Sequence, residues 1–275
     1  MAEVSKVFST IERNYIIKLL EKGKRLDGRG LLEFRPVEIQ TNVVPKAEGS
    51  ADVKLGATRI IAGVKYEIGA PFPDTPNTGV VTVMSEFVPM ASPAFEPGPP
   101  GEESIEHARV VDRGLRHSDS IDYDALCIVP GKQVYVLFAD MYVMNHAGNL
   151  WDCGHIACLA ALISAKIPGA RVLEDGETVE FSGSYTTVPI KSIPVTLTFA
   201  KIGDYLILDP NLAEEMVLDA RLTVTVSGKG TVASMQKGGH STLTQEEIVK
   251  CTRDAVELAA KLREQINFEQ YRPVL

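Results

Sequence analysis

The sequence predicts an α/β chain, arranged as an α+β sandwich in which two halves each lay down strands and then a helix that covers them. Three observations carry that prediction. Alternating apolar and polar runs recur between tight-turn signals in both halves of the 275 residues. Each half closes on a helical segment with a continuous apolar face. Apolar residues make up 45% and charged residues 23% of the chain, enough for a sizeable core without the bias of a disordered polymer. The duplication lies in pattern more than in residue identity. It divides the chain into an N-terminal helical segment, 1–24, and a domain over 25–275 with halves at about 25–190 and 191–275.

Taken in order, Phe8 to Lys22 reads as an amphipathic helix, with Phe8, Ile11, Tyr15, Ile16, Leu19 and Leu20 at spacings of three and four. Gly23 ends it, and a basic loop, Lys24 to Arg29, follows. Strands are predicted over Phe34–Thr41, Ser50–Leu55, Thr58–Ile68 and Thr78–Val88, with Gly56-Ala57 as a tight hairpin. Five prolines in the twelve residues Pro89 to Pro100 exclude a helix or central strand and predict an ordered loop. A helix over Glu102–Ser118 comes next, its first-turn carboxylates Glu102 and Glu103 suited to the helix dipole.

Strands Ala125–Val129 and Gln133–Met144 then lead to a helix over about Leu150–Ala165 that is apolar on all sides and therefore buried. In the second half, Val195–Lys201, Tyr205–Leu208, Leu222–Ser227 and Gly230–Gln236 read as strands, turned at Gly203-Asp204 and Gly228-Lys229. Thr244-Gln245-Glu246-Glu247 is a capping box, with Leu243 and Ile248 placed as a hydrophobic staple. The helix it opens carries Ile248, Cys251, Ala255, Val256, Ala259 and Leu262 on one face.

Charge narrows the function. Lys and Arg number 28 against 36 Asp and Glu, a net charge of −8. A domain that binds nucleic acid on its own is usually basic, because phosphate contacts dominate affinity. Contact with nucleic acid would therefore use a restricted patch or be shared with a more basic partner. No apolar run approaches the ~18–20 residues of a bilayer span, and the start lacks a signal-peptide stretch. With four cysteines, these features predict reduced thiols, a cytoplasmic protein and no membrane partner.

Four features could carry chemistry. Cys153, His155 and Cys158, with His146 nearby, lack a common zinc spacing and lie in the most apolar helix, so packing explains them better than a metal. Asp209, Glu214, Glu215 and Asp219 lie where a strand leaves into a turn. They form either a Mg²⁺ or acid–base site or a solvated loop. Arg109, Arg113 and Arg116, at i, i+4 and i+7, share one face of their helix, with Ile105, Val110, Val111 and Leu115 on the others. That ladder suits either a phosphate backbone or salt bridges to Glu106, Asp112 or a neighbouring subunit. Gly228-Lys229-Gly230 and Gly238-Gly239 are hairpin turns rather than phosphate loops, and no Ser–His–Asp set is present.

Several stretches together resemble the RNase PH-like family over about residues 20 to 265. They are Arg25-Leu26-Asp27-Gly28-Arg29 with Phe34-Arg35-Pro36, Gly49-Ser50-Ala51-Asp52 leading to Leu55-Gly56-Ala57-Thr58, the helix Ile105–Arg116, Ile121-Asp122, and Gly148-Asn149-Leu150-Trp151-Asp152. Asp209-Pro210-Asn211 with Glu214-Glu215, and the N-terminal helix, are similar to the non-catalytic ring branch of the archaeal exosome. The resemblance implies an RNase PH-like fold and a complex that performs phosphorolysis. In that reaction inorganic phosphate attacks the last phosphodiester bond at an RNA 3′ end and releases a nucleoside diphosphate.

Against the catalytic members the sequence departs in three places. Gly101-Glu102-Glu103-Ser104-Ile105-Glu106 stands for their Ser-Arg-Arg-Glu-Ile-Glu, which inverts two charges. Ala147-Gly148-Asn149-Leu150-Trp151 stands for their Asp-Gly-Gly-Thr/Ser-Arg, and an indole cannot replace a guanidinium fork. Glu215 and then Arg221 stand for their two aspartates six apart. The resemblance therefore implies a subunit with no catalytic residue, cofactor or metal of its own. Its partners would be a catalytic RNase PH-like subunit in a trimer of heterodimers, RNA-binding cap subunits, and single-stranded RNA held by Arg113 and Arg116 with Arg109. The rivals are an active phosphorolytic RNase built on the Asp209 cluster, and a purely structural ring component.

Overall fold

The computed structural model of the chain describes residues 10–173 and 179–273. Strands β1 (Val37–Thr41), β2 (Gly49–Leu55) and β3 (Thr58–Gly69) form an antiparallel meander, with Leu55 opposite Thr58 across the Gly56-Ala57 turn. Strand β4 (Val80–Phe87) leaves this meander, and the chain runs through the proline loop into α2 (Glu102–Arg116) and the short β5 (Cys127–Val129). It returns as β6 (Gln133–Asn145), antiparallel to β3 and parallel to β4. A parallel neighbour needs a crossover of this kind, and α2 supplies it.

Helix α3 (Leu150–Ser164) follows, and all fifteen of its residues are buried. It lies against β2, β3 and β6 on one side and against β9 (Val195–Ile202) on the other, so it fills the layer between two sheets. Close approach is what makes that layer thin. A Cβ on Gly49 would sit 2.4 Å from the Ala161 carbonyl oxygen, a position no backbone shift of α3 alone relieves.

The second sheet runs β10–β9–β11–β12, with β10 at Tyr205–Leu208, β11 at Ala220–Val226 and β12 at Val232–Gly238, every pair antiparallel. Its inner face presents a buried threonine ladder. Thr196 and Thr225 hydroxyls are 3.0 Å apart, as are those of Thr198 and Thr223, and Thr198 also bonds Asp152 of α3. Helix α5 (Gln245–Ile266) packs on β9 and β11 and buries Cys251, Ala255, Ala259, Leu262 and Ile266. Its capping box forms as expected between Thr244 and Glu247.

Several sequence expectations are corrected. The N-terminal helix, α1, is described over Thr10–Leu20, and Phe8 lies outside the described residues. Its packed stripe is Arg13, Ile16, Ile17 and Leu20, leaving Ile11 and Tyr15 exposed. Ile16 and Leu20 meet Ala200, Ile202, Ile207 and Val217, and in that rotation Arg13 pairs with Asp219 at 2.9 Å. Val256 of α5 is exposed rather than packed. Strand β1 begins three residues later than expected, because the Arg35 amide donates to Asp209 rather than to a strand and Pro36 has no amide hydrogen. A two-stranded hairpin, β7 (Lys166–Val172) with β8 (Val179–Thr187), and a short helix, α4 (Leu212–Val217), are additional to the predicted elements.

The halves are pinned together by one buried ionic cluster. Asp209, with φ of 50°, leaves β10 in the left-handed region, and its carboxylate accepts from the Arg35 amide, Nε and Nη2, from Arg29 Nη1 and from Asn149 Nδ2, all at 2.7–2.9 Å. Arg25 pairs with buried Glu214 and donates to the Leu208 and Asp209 carbonyls at 2.7 and 2.8 Å. Burial would raise the Asp209 carboxyl, but the hydrogen bonds and charge of Arg35, helped by Asn149, hold it below the ordinary carboxylate value. Asp209→Ala leaves the guanidinium groups of Arg35 and Arg29 without their shared anion. We expect a loss of about 3–5 kcal/mol, seen as a lower denaturation midpoint at unchanged slope. A loss under about 1 kcal/mol would remove the cluster's structural importance.

Candidate functional site

Helix α2 divides its faces cleanly. Ser104, His107, Ala108, Val110, Val111, Gly114 and Leu115 are buried, while Arg109 and Arg116 are exposed, Arg113 between them is half-buried, and Ile105 is half exposed rather than packed. The burial has specific polar anchors. His107 Nε2 lies 2.8 Å from the Leu150 carbonyl, which can only accept, so this nitrogen carries the proton and Nδ1 accepts from Ser85 Oγ at 2.8 Å. Desolvation lowers the His107 pKa to about 4, so the ring is neutral and the arrangement is stable at ordinary pH. The helix therefore holds the three arginines on a rigid support.

Their environments differ. Among the described residues nothing pairs with the Arg109 guanidinium. Arg116 donates to Asp112 at 2.8 Å and to the Val81 carbonyl at 3.1 Å, and lies 5.9 Å from the Tyr123 ring centre. Arg113 Nη2 donates to Gln236 Oε1 on β12 at 2.5 Å. The ladder is thus present as a face, with its middle member tied to the second sheet.

Behind that face is a cleft of about 270 Å³, lined by Phe87, Glu103, Glu106, His146, Trp151, Glu215 and Arg221 among others. The sequence departures from the catalytic pattern meet here. The Arg221 guanidinium lies flat over the Trp151 ring, 3.7 Å from its centre, and donates to Glu106 Oε1 at 3.0 Å. Gln236 Nε2 donates to the same Glu106 oxygen at 3.0 Å. Gly238, opposite Arg221 in the β11–β12 register, has no side chain to block this path, since a Cβ there would sit 2.6 Å from Arg221 Nη2. Glu215 is half-buried beside them, its Oε1 accepting from the Asn149 amide at 2.8 Å. Burial raises its pKa to about 7, against the hydrogen bond from Asn149 and the charge of Arg221.

The four turn carboxylates do not converge. Asp209 is taken by Arg35 and Arg29, Glu214 by Arg25, Asp219 by Arg13 and the Gly203 amide, and Glu215 alone faces the cleft. Among the described residues, no group of three His, Cys, Asp or Glu side chains is placed to hold a metal ion. Cys153, His155 and Cys158 are core residues of α3, and neither His155 nitrogen has a hydrogen-bond partner. His146 stacks on Phe95 at 5.5 Å. No helix among the described residues is long and apolar enough to cross a membrane.

Sequence reasoning missed the pairing of Trp151 with Arg221 and the part played by Gln236. No motif marks either, because they meet only through the β11–β12 register and the seating of α2 on β12. For α4 a signal was present: Asn211 and Glu214 form a second capping box, N-cap to N3.

Comparison with known proteins agrees with this architecture. Residues 33–168 match domain 1, and residues 192–257 match domain 2, of the 3′ exoribonuclease family that includes RNase PH. The chain is 46% identical over 260 residues to the exosome complex component Rrp42 of Thermococcus kodakarensis, covering 94% of this chain and 96% of the relative. It is 46% identical over 261 residues to the Rrp42 component of Methanothermobacter thermautotrophicus, covering 95% and 96%. It also superimposes on a chain of the Archaeoglobus fulgidus exosome with RNA bound to the active site. The TM-score is 0.85 at 42% identity, over 93% of this chain and 98% of that one.

Asp152 lies just beneath the cleft. Burial, reinforced by the charge of Asp209, raises its pKa to about 7 despite hydrogen bonds from Asn149 and Thr198. A carboxyl raised on folding contributes stability that is complete below its unfolded pKa of about 4 and is lost as pH rises through its folded value. Asp152→Asn keeps the shape and cannot ionise. The Tm of the variant minus that of the native chain should therefore climb by a few degrees from about pH 5 to about pH 8. A difference that does not change with pH would contradict this assignment.

Proposed function

The chain belongs to the 3′ exoribonuclease family that includes RNase PH, and from that premise we propose that it is the non-catalytic ring component of an archaeal exosome. Its ring neighbours are catalytic RNase PH-like subunits, paired with it as heterodimers and assembled as a trimer of those pairs. RNA-binding caps and single-stranded RNA complete the list of partners, and the working compartment is the cytoplasm. This subunit completes the ring, orders the neighbour's active site and presents Arg113, Arg116 and Arg109 to RNA.

The observation that carries the reading is the Arg221–Trp151 stack closed by Glu106. Phosphorolysis needs a cationic pocket for the phosphate nucleophile and carboxylates at the leaving oxygen. Among the described residues lining the cleft, Arg221 is stacked and ion-paired, and Glu103, Glu106 and Glu215 are the carboxyl groups around it. Phosphate entering would meet carboxylates, and like charges repel. Cation density instead lies on the outward face of α2, and Asp112 offsets part of it at Arg116. A chain with net charge −8 can contribute such a patch when a neighbour shares the electrostatic attraction of RNA.

The test is phosphate-dependent RNA decay, read as nucleoside diphosphate release, with this chain alone, the catalytic partner alone and the two mixed. We expect release on mixing and none from this chain by itself; release from this chain alone would overturn the non-catalytic reading. Reversal of Arg113 and Arg116 to Glu should leave the ring assembled and weaken RNA binding by about tenfold or more at ~0.1 M salt. Loss of assembly in that variant would instead assign both arginines to subunit contacts.

A further inference from the structure

We propose that Gln236 and Glu106 are positioning residues for Arg113, and that Arg221 and Trp151, which stand where the catalytic pattern is lost, form the anchored end of that brace. The inference rests on the reading of Arg113 as an RNA contact. A continuous line of contacts supports it. The Trp151 ring carries Arg221 at 3.7 Å, Arg221 donates to Glu106 Oε1 at 3.0 Å, Gln236 Nε2 donates to the same oxygen at 3.0 Å, and Gln236 Oε1 accepts from Arg113 Nη2 at 2.5 Å.

The chemistry of the amide gives the line a direction. A glutamine amide has one accepting end and one donating end, and a guanidinium has donors only. Rotating the Gln236 amide by half a turn would set its NH₂ against Arg113. The Glu106 carboxylate, an acceptor, holds the NH₂ on its own side and thereby turns Oε1 toward the arginine. Glu106 in turn is held by Arg221, which is half enclosed by Trp151 and passes over Gly238. On Arg113 itself, Nε is buried without a partner, Nη2 is committed to Gln236, and Nη1 has no partner among the described residues. The guanidinium is thus fixed by its inner edge, with Nη1 left to meet a phosphate oxygen. A flexible arginine loses rotamer freedom when it binds, and one already fixed loses less.

The brace and simple electrostatics predict opposite signs at Glu106. Removing its negative charge, which also frees Arg221, makes the surroundings of Arg113 more positive and on charge alone should tighten RNA binding. Removing the brace should weaken it. The experiment uses the ring reassembled with its catalytic partner and measures KM for RNA and kcat at saturating phosphate. Gln236→Leu and Glu106→Ala are each expected to raise KM about three- to tenfold, with kcat at saturating RNA changing by less than about twofold. In an Arg113→Ala background neither should add a further rise, the signature of residues acting through one another.

A fall in KM for Glu106→Ala would overturn the proposal. So would an unchanged KM for Gln236→Leu, a rise of equal size in the Arg113→Ala background, or failure of the Gln236→Leu ring to assemble. If Arg113→Ala alone leaves KM unchanged, the RNA reading of Arg113 fails and the brace falls with it. If Arg113→Ala raises KM while both other variants are silent, only the brace is wrong.

Discussion

The buried carboxylate of Asp209 is the interaction on which the rest of the structure depends. It sits at the end of β10 in a left-handed conformation and collects donors from two separate parts of the chain: the Arg25–Arg35 segment through Arg29 and Arg35, and the turn before α3 through Asn149, which also donates to Asp152. Desolvating an ion pair costs several kcal/mol per charge, and such a cluster holds only where nearly every lone pair and donor is satisfied. That condition is met here. Arg35 spends its remaining donors on the Ala147 and Gly148 carbonyls at 3.1 Å, and Arg25 closes on Glu214 of α4. The same contacts fix the first turn of α3, the seat of α4 and the end of β10. Those elements place Trp151 and Glu215 in the cleft, so the geometry of the site is inherited from the cluster.

That dependence explains what could and could not be read from sequence. Elements with strong local signatures were legible: the all-apolar α3, the capping box of α5, and the hairpins at Gly56-Ala57 and Gly203-Asp204. So was the outward arginine face of α2, because helical periodicity alone sets it. The use of the basic segment was not. Arg25 and Arg29 look like a solvated, positively charged loop, yet their side chains are almost entirely enclosed, because their partners lie about 180 residues away in sequence. The rotation of α1 failed for a related reason: the apolar partners that Ile16 and Leu20 meet lie about 180 residues or more away in sequence, and in that seating Arg13 reaches Asp219 while Ile11 and Tyr15 stay exposed. The carboxylate group at 209–219 was visible as a cluster of types, but each member had a separate arginine or amide waiting elsewhere in the fold.

In the site itself, sequence showed three separate departures from the catalytic pattern, and the fold makes them a single arrangement. Arg221 without Trp151 and Glu106 would be a largely buried guanidinium lacking an anion, among the more destabilising situations in a protein interior. Trp151 without Arg221 would expose an indole face to a cleft lined with Glu103, Glu106 and Glu215, and a π-face repels carboxylates as it attracts cations. Together they offset one another, although Arg221 Nε stays buried without a hydrogen-bond partner: the ring receives a cation, the cation receives a carboxylate, and the carboxylate oxygen also accepts from Gln236. Such coupling makes single substitutions toward the catalytic pattern unfavourable. An arginine at 151 would lie against Arg221, and a carboxylate at 221 would face Glu106 and Glu215. The polar edge of the cleft, through Gln236, ends at Arg113 on α2.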